Sequence, residues 1–134
     1  MEKYHIKPFG AAITNGAEMI MVAHLHCTCF DKNNIPTSLS QSAISYLRKK
    51  LHFDGITISD DMVMKGVADF GEVEACVMGI KAGLNMFIYR NCDEKTLEII
   101  EQVYQKAVTD NELQDKIELS YKKIISLKEK YLTP

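Results

Sequence analysis

The stretch that decides the fold is Phe53-Asp54-Gly55-Ile56-Thr57-Ile58-Ser59-Asp60-Asp61-Met62-Val63-Met64. An Asp-Gly turn precedes a run of largely apolar, β-branched residues, and such a run predicts a short buried strand. Two carboxylates, Asp60 and Asp61, follow where this strand should end. An unpaired carboxylate is costly to bury, and reactive groups gather at the carboxyl ends of strands in parallel α/β folds. We therefore interpret Asp60 as a chemical group, while Asp61 is equally well explained as the cap of a following helix.

Two other runs of the chain also predict strands. Residues 18–23 form a nearly unbroken apolar run, which is typical of a strand covered on both sides, and residues 84–89 form a third run. The predicted strands end in ionisable side chains, namely His24, the Asp60-Asp61 pair and Arg90. Because strands that alternate with helices form parallel sheets, we expect these side chains to meet on one rim. The residues alone fit a small open α/β sheet and part of a (β/α)8 barrel equally well.

Helical periodicity predicts five helices around these strands. Capping-box spacing places two of the helix starts at Ser38 and Thr109, and the connection after the Asp60-Asp61 pair is predicted as a loop. The last helix carries Lys122, Lys123, Lys128 and Lys130, which we interpret as a solvated surface. The apolar stripes expected to face the core are, helix by helix, Phe9, Ala12 and Ile13; Ile44, Leu47 and Leu51; Val73, Cys76, Val77 and Ile80; Leu97, Ile100, Tyr104 and Ala107; and Leu113, Ile117, Tyr121 and Ile124.

Length and composition indicate one soluble globular domain. The chain has 134 residues, of which 46% are hydrophobic and 25% charged. A net charge of −2 argues against a general nucleic-acid binder, and no apolar run approaches the roughly 20 residues that span a bilayer. The first residues lack the apolar core of a secretory signal. Cys27, Cys29, Cys76 and Cys92 are interpreted as reduced, mostly buried thiols, which predicts a cytoplasmic location.

The stretch from Phe53 to Met64 resembles the nucleophile motif of glycoside hydrolase family 3, specifically of the bacterial β-N-acetylglucosaminidases. In that family the first aspartate after the Ser or Thr attacks the sugar, and this position matches Asp60. The resemblance implies an α/β fold, namely the last three βα units (strands 6–8) of a (β/α)8 TIM barrel with flanking helices, so that residues 1–134 form a single incomplete domain. The likeness continues in order through Pro8-Phe9, Ala11-Ala12-Ile13, Gly16-Ala17, Met21-Val22-Ala23-His24, Ser38-Leu39-Ser40, Leu47-Arg48, Ala82-Gly83 and Ile124-Ile125-Ser126-Leu127-Lys128.

The function implied by this resemblance is that of a portion of a retaining β-N-acetylhexosaminidase, which removes terminal N-acetylglucosamine, for example from peptidoglycan fragments. His24 and Met64 match family positions near the sugar pocket, although a packing role explains Met64 equally well. Nothing in the chain matches the family's Lys-His-Phe-Pro-Gly-His-Gly stretch or its Asp-(x)-His acid/base loop, so the chain is expected to be inactive alone. The expected partners are a saccharide containing N-acetylglucosamine and either the N-terminal barrel portion or a second copy, without a cofactor, nucleic acid or membrane.

Two alternatives remain open at this point. The chain could be a non-catalytic α/β module, derived from the family, that binds or oligomerises. His24 and His26 would share one face of a strand and could chelate a metal, but no further ligand set is evident and no metal site is expected. The chain departs from the family at residues 26–29, and also at Leu84-Asn85, where the family commonly has Ala-Asp or Val-Asp; the second departure is expected to loosen the barrel rim.

Overall fold

A computed structural model describes residues 2–132 of the chain. Three strands alternate with helices along this range. The strands are β1 (Met19–Val22), β2 (Ile56–Asp61) and β3 (Met86–Ile88). The α-helices are α1 (Lys7–Thr14), α2 (Gln41–Lys49), α3 (Lys65–Ala68), α4 (Glu72–Ala82), α5 (Glu94–Thr109) and α6 (Asn111–Leu132), with a π-helical segment at Glu2–Ile6 and a 3₁₀ turn at Thr37–Leu39.

The three strands form one parallel sheet in the order β1-β2-β3, as the sequence predicts. Met19 of β1 lies opposite Ile56 of β2, and Ile58 of β2 lies opposite Met86 of β3. Further along, Ile88 lies opposite Asp61, so β2 has one more residue than β3 between these two pairs. This extra residue makes a bulge in β2, next to its carboxyl end.

One face of the sheet is covered by helices and the other is not. Ile20 of β1 packs against Leu47 and Phe53, whereas its neighbours Met19 and Met21 are 43% and 52% exposed. The prediction that β1 is covered on both sides is therefore wrong for the described chain. By alternation and register, Met19 and Met21 share their side of the sheet with Ile56, Ile58 and Met86, of which Ile56 is buried. We call the other four residues, Met19, Met21, Ile58 and Met86, the open face.

The core lies on the covered side, around α4. The predicted stripe of α4 is confirmed, because Cys76, Val77 and Ile80 are buried against side chains of α5 and α6. Gly83 ends the helix in a left-handed conformation with φ of 110°, a geometry that glycine adopts without a steric penalty. Leu113 of α6 is fully buried in the same cluster.

The predicted faces of α5 and α6 are wrong at several positions. Leu97, Ile100 and Tyr104 of α5, expected inside, are exposed. Ala107 is buried as predicted, and Ile99, which is not part of the predicted stripe, is buried too. Ile117 and Tyr121 of α6 are exposed as well, and so are Phe9 and Ala12 of α1. The reason in α5 is that the helix carries two neighbouring apolar stripes, and the 3.6-residue period does not tell which of them meets the core.

Two helix starts also differ from the predicted ones. Ser40, not Ser38, caps α2 by accepting a hydrogen bond from the Ala43 N–H at 3.3 Å. Asp110, not Thr109, accepts a hydrogen bond from the Leu113 N–H at 3.0 Å and so starts α6. The connection predicted as a loop after β2 contains the short helix α3.

Helix α6 crosses the amino ends of the three strands. Ser120 accepts a hydrogen bond from the Asn85 side chain just before β3, at 3.0 Å. Lys123 pairs with Asp54 just before β2, at 2.5 Å, and Lys130 pairs with Glu18 just before β1. The lysines of this helix are therefore not simply a solvated surface, because two of them anchor α6 to the sheet.

Asn85 is the centre of a polar network at the same end of the sheet. Its side-chain oxygen accepts hydrogen bonds from Arg48 at 2.9 Å and from the Thr57 N–H at 3.0 Å. Arg48 also donates to the carbonyls of Phe53 at 3.0 Å and of Gly55 at 2.6 Å, and its burial lowers the pKa of the guanidinium. The sequence predicts that Leu84-Asn85 loosens the barrel rim. For Asn85 this prediction is wrong, because its side chain links α2, β2 and α6.

The cysteines are less buried than predicted. Cys76 is buried, Cys27 is half-buried, and Cys29 and Cys92 are exposed. No disulfide joins any of the four within residues 2–132. In the same range, no helix combines the length and the apolar character that a bilayer span requires.

Candidate active site at the carboxyl rim of the sheet

The carboxyl ends of the three strands meet, as the sequence predicts. His24, which follows β1, places its Nε2 atom 3.2 Å from the carbonyl oxygen of Asp61 at the end of β2. Asp61 in turn lies 3.4 Å from the Nε atom of Arg90, which follows β3. Asp60 is adjacent to Asp61 in β2, so all four residues belong to one rim of the sheet.

Asp60 lies at the bulge of β2 and is half-buried. Its Oδ1 atom accepts a hydrogen bond from the Asp61 N–H at 2.8 Å, and Asp60 forms no ion pair with any residue in the described part of the chain. The preceding Ser59 is fully buried, and its hydroxyl oxygen accepts a hydrogen bond from the Ile88 N–H at 3.0 Å. A bulge commonly re-aims the side chains next to it, and here the hydrogen bond that the Asp60 carboxylate accepts within residues 2–132 comes from its neighbour Asp61.

Asp61 is engaged in local structure instead. Its Oδ1 atom accepts a hydrogen bond from the Val63 N–H at 3.1 Å, which closes the turn after β2. Its Oδ2 atom pairs with Arg90 at 3.4 Å, and its side chain is only 17% exposed. Both aspartates are half-buried, but they differ in their contacts. Asp61 closes the turn and pairs with Arg90, whereas Asp60 forms no ion pair with a described residue.

His24 is buried, and both of its ring nitrogens are engaged. Nδ1 lies 2.6 Å from the hydroxyl oxygen of Ser38, and Nε2 lies 3.2 Å from the Asp61 carbonyl. A carbonyl oxygen only accepts, so Nε2 carries the proton. In the neutral ring Nδ1 then accepts the hydrogen bond from Ser38. Sequence reasoning missed Ser38 because its position just before a helix suggested a cap.

Met64 lies beyond the rim and is 43% exposed. Its backbone N–H donates to the Asp61 carbonyl at 3.0 Å, which holds the start of α3 against β2. The neighbouring Met62 is buried in the core, so Met62 packs inside the protein while Met64 lies at the surface.

Tyr89, at the end of the β3 segment, is an unsuitable proton donor. Its hydroxyl lies 3.1 Å from the Cys76 sulfur, and burial together with this contact raises the pKa of the phenol. Such a group stays protonated and does not exchange its proton readily near neutral pH.

No group of three potential metal ligands occurs within residues 2–132. His26 pairs with Pro36 in an isolated bridge outside the sheet, and both nitrogens of His24 are engaged as described. The two histidines therefore do not form the chelating pair that the sequence alternative would require.

Two apolar grooves lie at the edges of the sheet rather than at the rim. One, of about 660 Å³, borders β1 and includes Phe9, Met21 and Leu25 among its lining residues. The other, of about 610 Å³, borders β3 between α5 and α6 and includes Tyr104 and Tyr121. Asp60 lines neither groove, so these two apolar grooves and the candidate chemistry are separate features.

Comparison with known proteins identifies the family. Residues 1–127 match the family described as the glycosyl hydrolase family 3 N terminal domain, and the chain therefore belongs to it. A Beta-hexosaminidase of Hydrogenovibrio crunogenus is 33% identical over 100 residues, which cover 73% of this chain and 28% of that protein. A Beta-hexosaminidase of Methylococcus capsulatus is 32% identical over 104 residues, covering 76% of this chain and 30% of that protein. The chain thus spans less than a third of these curated relatives.

Solved structures of the same family share the fold. The β-N-acetylglucosaminidase of Thermotoga maritima is 29% identical with a TM-score of 0.76, over 89% of this chain and 27% of that one. The β-N-acetylhexosaminidase of Beutenbergia cavernae has a TM-score of 0.85 at 22% identity, over 92% of this chain and 37% of that one, and this second likeness concerns the fold alone.

Proposed function

We propose that the chain carries the nucleophile of a retaining β-N-acetylhexosaminidase and supplies strands 6–8 of its (β/α)8 barrel. The observation that carries the proposal is the contrast between the two adjacent carboxylates at the rim. Asp61 is bound to Val63 and Arg90, whereas Asp60 accepts a hydrogen bond from the adjacent backbone N–H and forms no ion pair within residues 2–132. A group that contributes little to the fold and stands at the carboxyl rim of a family 3 domain is a good candidate for chemistry.

The one-sided packing of the sheet supports the barrel. In a doubly wound sheet, helices cover both faces, whereas in a barrel they surround the outside and the strands' other face fills the interior. Here the covered side holds Ile20 and Leu47, and the open face holds Met19 and Met21, which are apolar yet exposed. Such residues are suited to the packed interior of a closed barrel that further strands would complete.

The proposed chemistry is a double displacement. The ionised Asp60 carboxylate attacks the anomeric carbon of a terminal N-acetylglucosamine unit, and the bond to the leaving oxygen breaks as the glycosyl–aspartate ester forms. Water then attacks the same carbon and gives up a proton to the group that protonated the leaving oxygen, and Asp60 is released as a carboxylate. Peptidoglycan fragments are one source of such a substrate. The exposed Met64, just beyond the rim, is proposed to contact the bound sugar.

The proton donor for the leaving oxygen is proposed to come from outside this chain. His24 is buried, with both nitrogens engaged, and the hydroxyl of Tyr89 is held by Cys76. Neither group stands free at the rim to protonate a leaving group. This chain alone is therefore expected to lack general acid assistance, which is usually worth about 10²–10⁴-fold in rate.

The test is reconstitution. The 134-residue chain is combined with the portion of the Hydrogenovibrio crunogenus Beta-hexosaminidase that lies outside the matched segment, mixed or covalently fused, and turnover of an aryl N-acetyl-β-glucosaminide is measured. We expect turnover that Asp60→Ala abolishes and that Asp61→Asn largely retains. Equal losses from the two substitutions would contradict the assignment of the nucleophile.

A second candidate function is that of a non-catalytic module that binds a partner or oligomerises. The two apolar grooves at the edges of the sheet favour it, because apolar surface of this kind commonly marks a protein contact. The two functions differ in the role of Asp60. A non-catalytic module would keep its assembly behaviour on Asp60→Ala, and no reconstituted form of it would turn over a glycoside.

A further inference from the structure

We infer that Ser38 is a positioning residue for Asp60, acting through His24 and Asp61. The inference rests on the proposed function, since it concerns how the proposed nucleophile is held. It assigns His24 to the support of the rim rather than to contact with the sugar.

Hydrogen bonds joined by the backbone of Asp61 lead from Ser38 to Asp60. The Ser38 hydroxyl lies 2.6 Å from His24 Nδ1, and His24 Nε2 lies 3.2 Å from the Asp61 carbonyl oxygen. The Asp61 N–H then donates to Asp60 Oδ1 at 2.8 Å. The carbonyl admits only a donor, so the proton of the neutral ring is on Nε2 and the Ser38 hydroxyl donates to Nδ1. Ser38 thereby favours the His24 tautomer with its proton on Nε2, which is the tautomer that can donate to the Asp61 carbonyl.

The surroundings of His24 leave its ring little freedom. Ser38 is fully buried, and its 3₁₀ turn is anchored to the end of β1 by the Thr37 hydroxyl, 2.6 Å from the Ala23 carbonyl. On another side lies Gly66 of α3, where a Cβ atom would come within 2.9 Å of the His24 Cβ. A buried ring held on both nitrogens acts as a fixed connection between β1 and β2.

This connection ends at the bulge that carries the proposed nucleophile. The donor that orients Asp60 is the N–H of Asp61, and the carbonyl of the same residue accepts from both His24 and the Met64 N–H. Without the Ser38 bond, His24 can turn away from Asp61, and the hydrogen bond that orients the Asp60 carboxylate weakens. Small displacements of an attacking group matter, because the reacting atoms must be within about 3–3.5 Å and aligned.

The chain contains a matched control for this inference. Ser40 is as deeply buried as Ser38 and two residues away, but it caps α2 and donates to Asp31 at 2.8 Å without contact to His24. Ser38→Ala and Ser40→Ala therefore both remove a buried hydroxyl that makes hydrogen bonds, and only the first touches the proposed connection. Gly66→Ala provides a second variant that disturbs His24 from the other side.

The experiment is NMR of the isotopically labelled full chain and of these variants. We expect unmodified His24 to show a protonated Nε2 and an unprotonated, hydrogen-bonded Nδ1. Ser38→Ala and Gly66→Ala should shift or broaden both the His24 nitrogens and the Asp61 amide, while Ser40→Ala leaves them in place. The inference is overturned if the Asp61 amide is unchanged in Ser38→Ala, or if Ser40→Ala changes it equally.

A kinetic measurement separates positioning from stability. In the reconstituted enzyme, Ser38→Ala should lower kcat about fivefold, the rate equivalent of one neutral hydrogen bond, with KM nearly unchanged and Ser40→Ala at the original rate. A Ser38→Ala enzyme with the original kcat would overturn the inference. Retained turnover in Asp60→Ala would instead overturn the proposed function, while the NMR result would still report whether the connection exists.

Discussion

Truncating the two adjacent aspartates should have unequal effects on stability. Asp61→Ala removes the hydrogen bond to the Val63 N–H, worth about 1 kcal/mol net, and the pair with the well-exposed Arg90, worth at most about 0.5 kcal/mol. Asp60→Ala removes one bond to an adjacent N–H that water can replace, so we expect about 0.5 kcal/mol or less. The free energy of unfolding should therefore fall by about 1 kcal/mol more in Asp61→Ala than in Asp60→Ala.

Urea denaturation of the isolated chain, followed by circular dichroism, measures this difference directly. With a slope of about 2 kcal/mol/M, a difference of 1 kcal/mol separates the two midpoints by about 0.5 M. Equal midpoints, or a lower midpoint for Asp60→Ala, would refute the reasoning, because Asp60 would then have a structural role that its contacts do not indicate.

Three further outcomes are expected. The isolated chain should hydrolyse an activated aryl N-acetyl-β-glucosaminide no faster than its Asp60→Ala variant. Robust turnover by the chain that this variant loses would contradict the prediction, because the chain would then contain its own acid/base group. The chain should self-associate through its apolar edges, so sedimentation should show a larger species that Met21→Lys or Tyr104→Lys shifts towards the monomer; a stable monomer at micromolar concentration would contradict this. Lys81 lies 2.6 Å from the Asp110 carboxyl and lowers its pKa. The stability that this carboxylate contributes is therefore complete above its unfolded-state pKa of about 3.9, and it disappears as the pH falls through the lower folded-state pKa. Acid unfolding should accordingly be less steep in Asp110→Asn than in the original chain.

The sequence predicts the elements of this fold well because they are decided locally. The apolar β-branched run before Asp60 forms β2, the stripe through Cys76 and Ile80 forms the buried face of α4, and Gly83 ends that helix. These features depend on neighbours within a few residues, which a pattern describes directly. The parallel order of the strands follows from their alternation with helices.

The faces of the peripheral helices could not be predicted in the same way. In α5, the exposed Ile100 and the buried Ile99 are adjacent apolar residues, and both belong to plausible stripes. Which stripe meets the core depends on where α4 and α6 lie, and this is not a local property. Ile100 and Tyr104 of the exposed stripe line the groove beside β3.

The candidate site can likewise be predicted from the sequence only in part. The position of Asp60 at the end of a strand can be predicted from its neighbours and from the family motif. The separate roles of Asp60 and Asp61 depend on Arg90, which is 29 residues further along the chain. The connection from Ser38 through His24 to Asp61 likewise joins three distant segments, and a lone serine before a helix predicts a cap more readily than a partner for a histidine.

The central claim is that Asp60 forms the covalent glycosyl–enzyme, and a trapped intermediate tests it most directly. The reconstituted enzyme is incubated with a fluorinated N-acetylglucosaminyl fluoride, which forms such an ester faster than water releases it. Intact mass and peptide mapping then locate the adduct. We predict one sugar per chain, bound to Asp60, and none in Asp60→Ala. An adduct on any other residue, or turnover of ordinary substrate with no adduct at all, would contradict the account.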